Sequence, residues 1–243
     1  MPAGSPADRV LVALDVEALG DAERLLDCLA GTLTGCKIGS QLFTAAGPRA
    51  VEAARKRGFG VFLDLKYHDI PNTVAGAVRE AARLGVSMLN VHASGGLAMM
   101  RAAADAATKA AADFGTARPV CLGVTVLTSL DRTALHREVG VAATVEAHVL
   151  HLAERAREAG LDGCVASPQE VRALRLGLGR DWVIVTPGIR PGGGEGTDDQ
   201  VRIATPCAAL AAGADYLVVG RPITGASDPA AAAAAIVREL GGS

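Results

Sequence analysis

The chain is poor in aromatic residues: four Phe, two Tyr and one Trp in 243 residues. So sparse a set argues against the stacking platforms on which single-stranded nucleic acids bind. There is no basic block either. Lys and Arg number 24 against 26 Asp and Glu, a formal charge of −2. Neither nucleic acid nor a membrane surface is therefore expected as the main partner. The five cysteines (Cys28, Cys36, Cys121, Cys164 and Cys207) are odd in number, scattered, and never spaced C-x-x-C. They read as reduced, mostly buried thiols rather than a disulfide framework. No run is long and apolar enough to span a bilayer, and "MPAGSPAD" lacks an apolar secretory core. The expected compartment is the cytoplasm, with residues 1–8 a flexible tail. The histidines form no H-E-x-x-H or comparable spacing, so no zinc site is expected.

What is plentiful is alternation. Half the residues are hydrophobic, enough for a sizeable core, and short β-rich runs alternate with Ala/Leu/Arg/Glu helical patterns. Strands are expected near 10–15, 35–38, 60–66, 88–92, 120–126, 163–166, 182–186 and 216–219. Helices are expected near 22–30, 48–57, 73–84, 97–114, 144–159, 168–176, 206–212 and 229–240. The segments "VEAARKRG", "AVREAARLG" and "AERAREAG" share one grammar. Apolar residues face one side, Arg and Glu the other, and a Gly closes the helix. The strands are near-continuous apolar runs, as parallel strands covered on both faces require. Eight such units without a linker predict an α/β fold, a single-domain (β/α)8 TIM barrel over 9–243. A doubly wound open sheet is the alternative. The full set of eight, with no G-x-G-x-x-G after the first strand, favours the barrel.

Barrel sites lie at the C-terminal ends of the strands, and polar residues gather there. They are Asp15, Lys37, Asp64, Lys66, Asp69, Asn90, His92, Thr125, Thr128 and Ser129, followed by "TPGIRPGGG" and "GRPIT" in the last two loops. Loops after strands seven and eight of this fold frequently bind phosphate. Gly188, Gly192, Gly193 and Gly194 permit close backbone approach to an anion. Arg190 and Arg221 supply guanidinium groups, and Gly220 an N–H. Either loop alone reads equally as a flexible glycine turn with solvated arginines; together they favour phosphate. The stretch 190–205 has the length and glycine content of a mobile lid.

"VFLDLKYHDIPNT" (61–73) sets charge on an apolar strand. Side chains alternate, so Asp64 and Lys66 share a side, and Lys37 one strand over extends the pattern. Asp64–Lys66 also reads as a structural ion pair, and Asp69 as a carboxylate favoured at a helix N-terminus. A strand-end Lys beside Asp serves either a Schiff-base aldolase, through neutral Lys, or general acid catalysis, through the ammonium. At ~4 Å and an effective dielectric near 20, each neighbouring carboxylate contributes about 4 kcal/mol to the ammonium form. The charges therefore lean towards a proton donor.

These residues resemble the bacterial orotidine 5′-phosphate decarboxylase family over nearly the whole chain. The matching stretches are "VALD" (12–15), "CKIG…LF…GP" (36–48), "FLDLKYHDIPNT" (62–73) and "NVHASGG" (90–96), then "VTVLTS" (124–129), "VTPGIRP" (185–191) and "DYLVVGRPIT" (215–224). D-x-K-x-x-D alone is shared with sugar-phosphate decarboxylases and synthases; the longer motifs are more specific. The resemblance implies a homodimeric (β/α)8 barrel, with active sites at the dimer interface and no metal or cofactor, that converts orotidine 5′-phosphate to UMP and CO2. It implies Lys66 as proton donor within an array of Lys37, Asp64, Lys66 and the partner's Asp69. Asp15 and Lys37, with Asp69 and Thr73 of the partner, would hold ribose hydroxyls. Ile70 joins the implied substrate-binding set, Thr128 and Ser129 would meet the pyrimidine, and Arg190, Gln200, Gly220 and Arg221 the phosphate. Two other readings share the scaffold. A metal-dependent sugar-phosphate enzyme would want an acid where "CKIGSQLF" has Lys37. A non-catalytic barrel would bind UMP without turnover.

Overall fold

A strand buried on both faces sorts its side chains into two sets, one for each face. Here the two sets build two separate cores. The structure, a computed structural model, describes residues 4–193 and 202–242. Eight parallel strands close into a barrel in sequence order: β1 (Val10–Ala13), β2 (Gly35–Gly39), β3 (Gly60–Tyr67), β4 (Met88–His92), β5 (Val120–Val124), β6 (Gly163–Val165), β7 (Val183–Thr186) and β8 (Tyr216–Val219). β8 pairs back onto β1, with Val12 opposite Val219. Leu11, Ala13, Phe62, Met88, Leu122, Val185, Tyr216 and Val218 face inward and fill the barrel. Their strand neighbours, among them Val12, Ile38, Leu63, Leu89, Ile184 and Leu217, face outward into the core beneath the helices. A buried Phe or Leu contributes about 1.5–3 kcal/mol, so this sorting sets the register of every strand.

The helices form the outer layer: α1 (Leu19–Leu29), α2 (Ser40–Ala46), α3 (Pro48–Lys56), α4 (Pro71–Arg83), α5 (Leu97–Phe114), α6 (Arg132–Arg137), α7 (Val145–Glu158), α8 (Val171–Leu178), α9 (Pro206–Ala212), α10 (Arg221–Thr224) and α11 (Pro229–Gly241). Gly58, Gly85 and Gly160 have φ of +82°, +73° and +84°. The three repeated segments therefore end in the left-handed turn that their closing glycine allows. Among the described residues no helix is long and apolar enough to cross a membrane. Cys36, Cys121 and Cys164 are buried, Cys207 is partly buried and Cys28 is exposed; all five are free thiols.

Several boundaries depart from the sequence pattern. α4 begins at Pro71 because a proline is suited to the first helical turn. β5 stops at Val124 rather than 126: both Thr125 N–H and Oγ1 turn to the Val165 carbonyl, at 3.2 and 2.9 Å. α8 begins at Val171, three residues late, because the segment before it is a turn in which Glu170 N–H bonds Ser167 O (3.1 Å). α2, α6 and α10 span seven, six and four residues, too short to display helical periodicity. Pro6–Arg9 form a 3-10 turn ahead of β1, where Asp8 accepts from the Thr34 hydroxyl (2.7 Å).

β6 and β7 approach so closely at Gly163 that a Cβ there would collide with the Val183 carbonyl. Gly163→Ala is expected to lower stability by about 1–3 kcal/mol through overpacking, read as a lower urea midpoint. An unchanged midpoint would show that the strands separate at no cost.

Candidate active site

Continuing the inward set past the apolar layer brings charge to the top of the barrel. Above Ala13 stands Asp15, above Phe62 stand Asp64 and then Lys66, and β2 contributes Lys37, in register with Phe62. These four form a continuous row. Lys37 Nζ donates to Asp15 Oδ1 (2.9 Å) and lies 3.5 Å from Asp64 Oδ2. Lys66 Nζ donates to Asp64 Oδ1 (2.7 Å). Asp64 and Lys37 are buried, whereas Asp15 is exposed and Lys66 about one-third exposed. A Cβ on Gly39 would stand 3.0 Å from Lys37 Nζ and 3.1 Å from Asp15 Oδ1, so glycine leaves the space that this pair occupies.

Simple alternation does not bring Lys66 here unaided. β3 takes four residues from Leu63 to Tyr67 while β4 takes two from Leu89 to Val91, so the strand bulges at the charged residues. Lys66 has φ +51°, the sole positive φ at a non-glycine residue among those described. That conformation costs about 1–3 kcal/mol and persists where neighbours over-determine it. The neighbour is Asn90 on β4, fully buried. Its Oδ1 accepts from Lys66 N–H (2.8 Å) and its Nδ2 donates to Asp64 Oδ1 (2.7 Å). One amide side chain thus fixes the lysine's backbone and orients the carboxylate beside its ammonium. Beyond it, the His92 and His68 rings pack 5.3 Å apart. Burial, then the neighbouring His68 and Lys66, hold His92 below the usual histidine range, with Asp64 opposing.

The row floors a cavity of about 430 Å³, within the range of roughly 300–1,000 Å³ usual for small-molecule sites. One wall carries Val126, Leu127 and Thr128; the other carries Gly188 and Arg190 after β7 and Gly220 and Arg221 after β8. The lining thus holds four cationic side chains, Lys37, Lys66, Arg190 and Arg221, against two carboxylates, Asp15 and Asp64. It favours an anionic ligand. Gly220 caps the short helix α10, and an extra helix N-terminus after β8 is where barrels of this class hold phosphate. Among the described residues, no three His, Cys, Asp or Glu side chains gather as a metal site.

A sequence model of the "Orotidine 5'-phosphate decarboxylase / HUMPS family" matches residues 8–236. The chain belongs to that family. Orotidine 5'-phosphate decarboxylase of Moorella thermoacetica is 56% identical over 233 residues, covering 96% of this chain and 92% of that protein. The Halorhodospira halophila protein of the same name is 54% identical over 232 residues, covering 96% and 95%. The crystal structure of orotidine 5'-phosphate decarboxylase from Lactobacillus acidophilus aligns with a TM-score of 0.84 at 38% identity, covering 96% of this chain and 99% of that one.

Within the family's barrel, the residues expected from sequence fall into two places. Asp15, Lys37, Asp64, Lys66, Thr128, Arg190, Gly220 and Arg221 line the cavity. Asp69, Ile70 and Thr73 are exposed outside it, where Asp69 Oδ1 accepts from Ile70 N–H (2.6 Å) at the start of α4. Ser129 is exposed beyond the rim. Gln200 and Gly194 lie outside the described residues. The sequence puts Asn90 at a strand end and assigns it no task; an amide inside the apolar run 88–92, one strand from an Asp–x–Lys pair, is the signal for one. Asn90→Ala strips the Lys66 N–H of its acceptor and Asp64 Oδ1 of one of its two donors, and a loss of about 1–3 kcal/mol is expected, measured by chemical denaturation. A midpoint equal to wild type would remove Asn90 from this role.

Proposed function

We propose that the chain decarboxylates orotidine 5′-phosphate to UMP and CO2, the last step of de novo pyrimidine nucleotide synthesis. One observation carries the reading: the Lys37–Asp64–Lys66 row lies in the same cavity as Arg190 and Arg221. A ligand with a reacting carboxylate at one end and a phosphate at the other meets both. Loss of CO2 breaks the bond from C6 to the carboxyl carbon and leaves the electron pair in the ring plane, out of reach of π delocalisation. The Lys66 ammonium stabilises that carbanion and then transfers its proton to C6. Asp64 faces the departing carboxylate. Asp15 and Lys37 hold ribose hydroxyls, Thr128 and Ser129 the pyrimidine, and Arg190, Gln200, Gly220 and Arg221 the phosphate. Binding energy at the phosphate end, remote from C6, is then available to the chemical step. A dication at Asp64 would displace Lys66 and Asn90 from one carboxylate oxygen and Lys37 from the vicinity of the other, so the donor set suits the ammonium chemistry better.

The proposed enzyme is a homodimer in which Asp69, Ile70 and Thr73 complete the partner's site. Their exposure supports this: Ile70 is 67% exposed, a large apolar side chain beside a carboxylate, with neither in its own chain's cavity.

Orotidine 5′-phosphate absorbance should fall when EDTA-treated protein is added, and Lys66→Ala should lower kcat by at least about 10²–10⁴-fold. No turnover by wild type would sink the reading, and undiminished turnover by the variant would sink the assigned role. Mixing the inactive Lys66→Ala and Asp69→Ala proteins should restore about one quarter of wild-type activity at random assortment, since each heterodimer regains one whole site. No recovery in confirmed heterodimers would place Asp69 elsewhere.

A further inference from the structure

Beside the cavity, three loops at the barrel top meet around one buried ion pair. Glu170 Oε1 and Arg202 Nη1 lie 2.6 Å apart, with side chains only 6% and 7% exposed, and neither lines the cavity. Glu170 precedes α8 after β6; Arg202 lies in the segment that returns from β7 towards α9. The second guanidinium nitrogen, Nη2, donates to the main-chain carbonyls of Leu127 (3.1 Å) and Val126 (3.4 Å) after β5. Two residues on, Ala204 bridges to the segment after β7. Its N–H donates to Gly188 O (3.1 Å) and its carbonyl accepts from Arg190 N–H (2.9 Å). Val126 and Leu127, with Thr128, form one cavity wall; Gly188 and Arg190 belong to the other.

Stability does not explain the pair. Burial pushes the Glu170 carboxyl above the usual range, against the pull of Arg202. Glu170 Oε2 and Arg202 Nε have no hydrogen-bond partner among the described residues. Apolar residues of similar volume often serve a buried position equally well or better. What they lack is direction: a guanidinium aligned by a carboxylate holds two carbonyls while its own backbone stays joined to the opposite wall.

We propose that Arg202, held by Glu170, is a positioning residue that ties the 126–128 wall to the 188–190 wall. It thereby fixes the separation of the groups that meet the pyrimidine and the phosphate, which rests on the decarboxylase reading above. The charged row at Lys66 shares none of these bonds, so loss of the tie acts on substrate binding more than on the chemical step.

The decisive variant is the double substitution Glu170→Leu with Arg202→Met, which fills the volume without a buried charge or a donor; Arg202→Lys is the conservative companion. For the double variant, KM for orotidine 5′-phosphate is expected to rise at least about tenfold while kcat falls less than about threefold. Arg202→Lys, which cannot reproduce the guanidinium fork, is expected between it and wild type. Simple loss of folded protein would lower apparent kcat and leave KM unmoved. Amide hydrogen exchange supplies a readout that needs no substrate. The Leu130, Arg190 and Ala204 amides, bonded to Leu127, Ala204 and Gly188 carbonyls, should all exchange at least about tenfold faster in the double variant. Michaelis parameters within twofold of wild type in folded protein would overturn the proposal, as would acceleration confined to Ala204. Wild-type protein without turnover would instead overturn the decarboxylase reading, and the exchange result would then decide whether the tie exists. Should the double variant not fold, Arg202→Lys is judged by the same two measurements.

Discussion

Asp64 is a carboxylate withdrawn from water directly above Phe62 and the apolar filling of the barrel. A buried charge without partners costs several kcal/mol, and the residues around Asp64 are arranged to meet that demand. Lys66 and Asn90 both donate to one oxygen, and Lys37 faces the other. Each neighbour then imposes a condition of its own. Lys66 can reach Asp64 from its place on β3 with its backbone bulged into positive φ. Asn90 must be wholly buried so that one amide serves both the carboxylate and the lysine N–H. Lys37 extends the row to Asp15, which Gly39 leaves room for.

The two ends of the cavity differ in physical character. The floor is a set of opposed charges locked together by short bonds on rigid strands. The far rim is built from loops after β7 and β8, whose glycines and arginines suit a mobile, hydrated anion such as phosphate. Under the proposed decarboxylase reading, strand-borne charge serves placement at the reacting carbon, and loop-borne charge serves binding energy at a distance from it. The ion pair of Glu170 and Arg202 lies between these regimes. It joins loops of three successive units, and its value is geometric because its energetic return is small.

Much of this was legible before the fold was known. Eight apolar runs, each followed by a helical pattern and none by a linker, implied the barrel. Period-two alternation put Asp64 and Lys66 on one side of β3. Of the polar residues expected at strand ends, Asp15, Lys37, Asp64, Lys66, Thr128, Arg190 and Arg221 line one cavity, whereas Asp69, Asn90, His92, Thr125 and Ser129 do not. The short helices α2, α6 and α10 are not legible in the sequence because fewer than about two turns carry no readable periodicity. The bulge in β3 is not legible either, because its cause lies on β4, in Asn90, 24 residues further along. Glu170 and Arg202 are 32 residues apart and look like ordinary charged residues beside helices until the barrel closes around them.

The chemistry-bearing residue types, and the strand face of Lys37 and Asp64, are local properties that alternation dictates, so the amino-acid sequence by itself settled them; Lys66 needs the bulge in β3 as well. Which donor meets which acceptor is not local. It depends on the curvature that carries β2, β3 and β4 around one axis and on the close packing that leaves Asp64 little water to turn to. Tertiary structure alone therefore decided that Asn90 holds Lys66 in a left-handed turn. It also decided that a buried guanidinium joins the two walls, and that Asp69, Ile70 and Thr73 face away from the cavity that their own chain encloses.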